Sequence, residues 1–155
     1  MTTPAKPADL ELHKKFAVDC FNHVWSLLDK PKRTSDEDAE MIHAAHASRF
    51  HWSRIGQPIN FARGDWQLSR VYSVLNLPAP ARFYAQRCLD LCTEHNIGDF
   101  DLAYAYEALA RASGVAGDRA EREKYLLMAN KIAAQISGAE DRKMFLSDLA
   151  TIPEC

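Results

Sequence analysis

Residues 63–89, RGDWQLSRVYSVLNLPAPARFYAQRCL, and residues 104–130, YAYEALARASGVAGDRAEREKYLLMAN, decide the fold. In the first segment Leu68-Ser69, Tyr72, Asn76, Ala81, Ala85 and Cys88-Leu89 follow one another in order. In the second, Leu109-Ala110, Ser113, Gly117, Arg122, Leu126 and Ala129 fall at the same offsets, 41 positions later. Each segment places a bulky residue and then a small one on a first apolar stripe, breaks, and puts small residues on a second stripe. Small side chains let helix axes approach closely, and a tight turn folds the second helix back on the first.

Working outward, the apolar period is helical almost everywhere, with no convincing alternating strand. Phe16, Cys20, Val24, Leu27 and Leu28 predict a first helix stopped by Pro31. Thr34 and Glu37 have capping-box spacing, and Asp36, Glu37 and Asp38 put negative charge at the positive end of a second helix. That helix carries Met41, Ala45, Ser48, Trp52 and Ile55 on one face and stops at Gly56. Pro58 suits the first turn of a third helix bearing Phe61, Leu68, Tyr72 and Leu75. Pro78 and Pro80 introduce a fourth, with Ala81, Ala85, Cys88, Leu89 and Cys92 on one stripe. A break at residues 96–99 leads to a fifth, with Leu102, Tyr106, Leu109, Ala110 and Ser113. Asp118 and Glu121 have N-cap spacing for a sixth, and Met144, Phe145 and Leu149 mark a short seventh beyond Gly138. The prediction is all-α: about seven helices in stacked antiparallel hairpins, with residues 1–8 a flexible leader and 9–152 one domain.

Over roughly Arg63 to Ile136 the paired segments resemble a divergent tetratricopeptide repeat. The spacing of 41 departs from the usual 34, Asn76 stands where a turn glycine is favoured, and Arg122 stands where a small residue is favoured. The resemblance implies a right-handed superhelix whose first, third and fifth helices line a concave surface where peptides dock. It thereby implies a protein-interaction module without catalysis. Its terminal helices would leave Phe16, Trp25 and Phe145 uncovered, which offers an end for self-association into a homo-oligomer.

Composition narrows the alternatives. A chain of 155 residues, 47% hydrophobic and 26% charged, has ordinary globular usage and needs no cofactor to fold. A net charge of −2 argues against nucleic acid as a partner, and no apolar run suits a membrane span. The N-terminus lacks a secretory signal's apolar stretch. The four cysteines form no C-x-x-C pair, and Cys88 and Cys92, one turn apart, read as small buried hydrophobes; a reducing cytoplasm is expected.

Two sets of residues are candidate sites. On the third and fifth helices, Arg63, Trp66 and Arg70, and Tyr104, Glu107 and Arg111, recur at three- or four-residue spacing and so share faces. Three arginines and two aromatics offer bidentate donors and flat anchors for a partner protein or an acidic or C-terminal peptide. The competing reading is that the arginines are solvated or paired with Asp65, Asp99 and Asp101, and that Trp66 is core. On the second helix Glu40, His43 and His46 stand at three-residue steps, a pattern that can share a metal ion, though His51 lies roughly 140° around the helix from His46. No H-E-x-x-H and no second Glu-x-x-His accompanies them, and polar packing is the competing reading. Nucleotide, phosphate-loop and nucleophile-elbow signatures are absent. Arg63-Gly64-Asp65, although it matches an adhesion tripeptide, is read as coincidence.

Overall fold

The computed structural model describes residue 4 and residues 6–155. It is all-α, with seven helices: α1 Pro7–Leu28, α2 Ser35–Ile55, α3 Pro58–Val74, α4 Pro78–Glu94, α5 Asp99–Ala116, α6 Arg119–Ala133 and α7 Ala139–Leu149. Helix α1 begins at Pro7, so residues 7 and 8 belong to it and not to a leader; residues 1–3 and 5 lie outside the described residues.

The helix ends follow from local chemistry. The Thr34 hydroxyl accepts from the Glu37 amide at 3.2 Å and the Glu37 carboxylate accepts from the Thr34 amide at 2.9 Å, a closed capping box. Asp118 accepts from the Glu121 amide in the same way at 3.1 Å. Helices α3, α4 and α5 end alike: Asn76 (φ 58°), Asn96 (φ 53°) and Gly117 (φ 73°) turn into the left-handed region. The next amide then reaches back to Tyr72, Cys92 and Ser113 respectively. This is the Schellman arrangement, in which glycine or asparagine tolerates the positive φ. Asn76 thus does at the end of α3 what Gly117 does at the end of α5.

Neighbours in sequence pack as hairpins: α1 with α2, α3 with α4, and α5 with α6. Between α1 and α2 the contacts His13–His51, Ala17–Ser48 and His23–Glu40 run in opposite senses along the two chains, as antiparallel helices require. Asp65–Arg87 and Ser69–Ala81 do the same for α3 and α4. Between α3 and α5, and between α5 and the end of α7, the sense is reversed. Arg63–Asp101 and Arg70–Glu107 advance together along α3 and α5, and Tyr104–Asp148 and Arg111–Thr151 along α5 and α7. Parallel α3 and α5 joined through an antiparallel α4 are the product of successive hairpins.

Helix α5 is central. It packs on α3, α4, α6 and α7, and every residue from Ala103 to Gly114 except Tyr106 is buried. Its five alanines over that stretch allow neighbours on all sides to approach closely. One part of the core gathers Ala103, Tyr104, Ala129, Ile136, Phe145, Leu149 and Ile152; another gathers Val24, Leu27, Met41, Leu68 and Val71. Phe145 lies within the first of these and is fully buried, contrary to the expectation that it would be left open. Phe16 is exposed, because α1 packs chiefly on α2.

Candidate functional site

The odd-numbered helices line most of a half-open cavity of about 330 Å³. Phe21 and Trp25 come from α1, Ala62, Arg63 and Trp66 from α3, Phe100, Asp101 and Tyr104 from α5, and Met144 and Asp148 from α7, with Cys88 contributed by α4. The aromatic rings form a connected series. Trp25 lies 5.7 Å from Trp66 between ring centroids, Trp66 meets Tyr104 edge-on at 5.4 Å, and Tyr104 meets Phe100 at 4.8 Å and the buried Phe145 at 4.9 Å. These separations and tilts suit quadrupolar attraction between rings, which stiffens the wall.

Polar groups at the cavity are largely consumed. Arg63 makes a two-pronged pair with Asp101, at 2.7 and 3.0 Å. The Tyr104 hydroxyl donates to Asp148 at 2.6 Å, and burial, followed by that bond, holds its ionisation well above the usual phenol range. Arg63 is the only cation among the described residues lining the cavity, against two carboxylates. An apolar group is accommodated here more readily than an acidic one.

Beneath the rings lies a charge network. Glu107, with none of its surface exposed, accepts from Trp66 Nε1 at 3.3 Å, Arg70 Nη2 at 3.3 Å and Arg111 Nε at 2.7 Å. Arg70 also lies over the Trp66 ring, 5.3 Å from its centroid. Arg111 donates further to the carbonyls of Asp148 and Thr151 and to the Thr151 hydroxyl, so it caps the negative end of α7. Burial lowers the Arg111 guanidinium from its ordinary affinity for protons, opposed by the charge of Glu107.

The six residues expected to meet a partner are therefore brought together, but not all at a surface. Arg63, Trp66 and Tyr104 line the cavity; Glu107 and Arg111 are interior, and Arg70 is mostly so. Their shared face is the α3–α5 contact itself, which corrects the view of Glu107 and Arg111 as groove residues. The contributions of Phe21, Phe100, Met144 and Asp148 were not foreseen, whereas the Arg63–Asp101 pair is the competing reading of the arginines. Trp25, an aromatic expected at an uncovered end, carried a hint.

The α2 cluster disperses. Glu40 bonds His23 of α1 at 2.6 Å, His43 is exposed, and His46 bonds the Tyr72 hydroxyl of α3 at 2.7 Å. Among the described residues no group of three His, Cys, Asp or Glu side chains is placed to hold a metal ion. His51 instead sits 2.8 Å from His13, nitrogen to nitrogen, which requires at least one neutral ring. Burial, then His13, pushes His51 below its ordinary 6.5; burial, then His43, does the same to His46. A folded-state value below the unfolded one means that the unfolded chain binds more protons. Stability is thus expected to be level above that ordinary value and to fall as pH drops below it through the folded-state values. Melting temperature against pH should show the decline, and His51→Gln should flatten part of it.

Arg63-Gly64-Asp65 has an internal explanation. Asp65 is buried under Arg49 and Arg87, and a Cβ at Gly64 would meet the Arg49 Cδ at 2.7 Å. No described helix is long and apolar enough to cross a membrane. Compared with known proteins, the chain matches no family model, no curated protein and no solved structure.

Proposed function

We propose that the chain is a protein-interaction module of the tetratricopeptide-like kind, without catalytic activity, which takes an apolar side chain of a partner's peptide segment into the cavity between α1, α3, α5 and α7. One observation carries this reading: five aromatic rings from three helices converge on a single cavity of about 330 Å³, at the lower end of the range for ligand sites. Such rings give large contact area at little conformational cost, as recognition anchors do. The expected preference for an acidic peptide moves to an apolar one here, because the arginines of α3 and α5 are held by Asp101 and Glu107. A cytoplasmic setting accords with four free cysteines.

Trp25 and Trp66 make the cavity its own reporter. Peptides selected from a random library against the purified chain are expected to share an aromatic or large aliphatic residue and to shift the tryptophan emission on titration. Met144 is half exposed, and Met144→Arg places a charge at the cavity without disturbing the core. It is expected to weaken those peptides on the order of tenfold or more at unchanged helical circular dichroism. Peptides with no apolar residue in common, or undiminished binding by the variant, would remove the proposal.

A further inference from the structure

A second cleft, of about 380 Å³, lies on the part of the molecule built by α2, α3 and α4. Nothing in the cavity of the odd helices accounts for it. Its centre is Asp65, which is 1% exposed yet engaged by two guanidinium groups: Arg49 Nε on one carboxylate oxygen at 2.9 Å and Arg87 Nε on the other at 3.3 Å. Burial pushes the Asp65 carboxyl group up, and the two arginines pull it part of the way back. Both arginines bond Asp65 through Nε alone; their terminal amino groups have no hydrogen-bond partner among the described residues.

Arg49 is held in place more firmly than ion pairing alone would do. Its stem crosses α3 at Gly64, where any side chain would collide with Cδ at 2.7 Å, and its guanidinium lies 4.7 Å from the centroid of Phe61. Arg87 is half exposed and lies over Phe83. At the cleft Phe50 and Phe83 are 51% and 57% exposed, unusual for rings with a core nearby. His46 is bonded to Tyr72, and burial lowers its affinity for a proton. Two guanidinium groups against one carboxylate leave the cleft with an excess positive charge.

We propose that this cleft binds a small anionic ligand in which a phosphate or carboxylate is attached to a planar ring, the oxyanion taken by the terminal amino groups of Arg49 and Arg87 and the ring packed against Phe83. Guanidinium groups suit both anions because their paired N–H donors match the spacing of two oxygens. Fixing each arginine by its Nε edge to a buried carboxylate keeps the other edge available and removes the entropic cost of ordering it on binding. The rings supply the sequence-independent contact that a planar group seeks, and the cation above Phe83 strengthens it.

The test uses the whole chain and four probes: phenyl phosphate, benzoate, inorganic phosphate and phenol, followed through the arginine Nε–H resonances and by calorimetry. Phenyl phosphate or benzoate is expected to bind and to shift the Arg49 and Arg87 signals, inorganic phosphate to bind more weakly, and phenol not at all; whichever of the first two binds better identifies the anion. Arg87→Gln, at a half-exposed position, should lower affinity at least tenfold without changing the melting temperature by more than a few degrees. Phe83→Ala should lower affinity for the ring-bearing anion and leave inorganic phosphate unaffected. Absence of binding at millimolar probe would overturn the proposal, as would equal binding of phenol or an Arg87→Gln variant that binds like the native chain. Shifts confined to Trp25 and Trp66 would assign the ligand to the other cavity and overturn it equally.

Discussion

Replacing Glu107 with alanine is expected to lower the free energy of unfolding by about 3–5 kcal/mol, the cost of leaving a buried charge without its partner. In a domain of this size that is a large fraction of the whole, since total stabilities run at about 5–15 kcal/mol. Glu107 is shared by two guanidinium groups, Arg70 from α3 and Arg111 from its own helix, and accepts the Trp66 indole N–H as well. Without it two cations face each other in a site where one is 7% exposed and neither has another carboxylate bonded to it. Glu107→Gln keeps an acceptor for Trp66 and one arginine, so its loss is expected to be smaller but in the same direction. Denaturant unfolding checks this: the midpoint should fall with the slope unchanged, because the surface exposed on unfolding is the same. A loss below about 1 kcal/mol would mean that the arginines swing to water, as exposed pairs do.

That network also explains why the fold was easier to read than the site. Helix boundaries are encoded within a few residues of themselves. Thr34 and Glu37 close a capping box, Pro58 and Pro78 open helices, and Gly117 turns out of α5. The offset of 41 between Trp66 and Glu107 and between Arg70 and Arg111 marks equivalent places on paired helices, so their grouping was legible. Their exposure was not. A periodic pattern assigns charged residues to water by default, because paired and solvated charges look alike along the chain. Only the parallel alignment of α3 with α5 puts Arg70 over Glu107. The cavity was hidden for a related reason: Phe21, Phe100 and Met144 sit on helices separated by whole hairpins, and each alone reads as an ordinary apolar residue. Asn76 is the opposite case. It departs from the repeat pattern in identity yet meets the same demand for a positive φ.

The second large effect is expected at Phe145, whose alanine variant should lose about 3–5 kcal/mol, the usual cost of emptying a buried aromatic site. Its ring is wholly buried against Tyr104, among Ala103, Ala129, Ile136 and Leu149. Helix α7 has 11 residues, too few to persist on its own in water, so it exists only because Phe145, Leu149 and Ile152 pack and Arg111 caps its end. The loss is therefore expected to appear first as local opening of α7 and only at higher denaturant as global unfolding. Amide exchange resolves the two. In Phe145→Ala the protection of α7 amides should collapse while those of the α1–α2 hairpin keep most of theirs, because α7 packs chiefly on α5 and α6. Because α7 brings Met144 and Asp148 to the cavity, peptide affinity should fall by the fraction of molecules in which α7 is open, even where circular dichroism still reports a mostly helical chain. A uniform loss of protection across all seven helices would show instead that α7 is an inseparable part of one cooperative core, and the cavity would then have no wall that opens by itself.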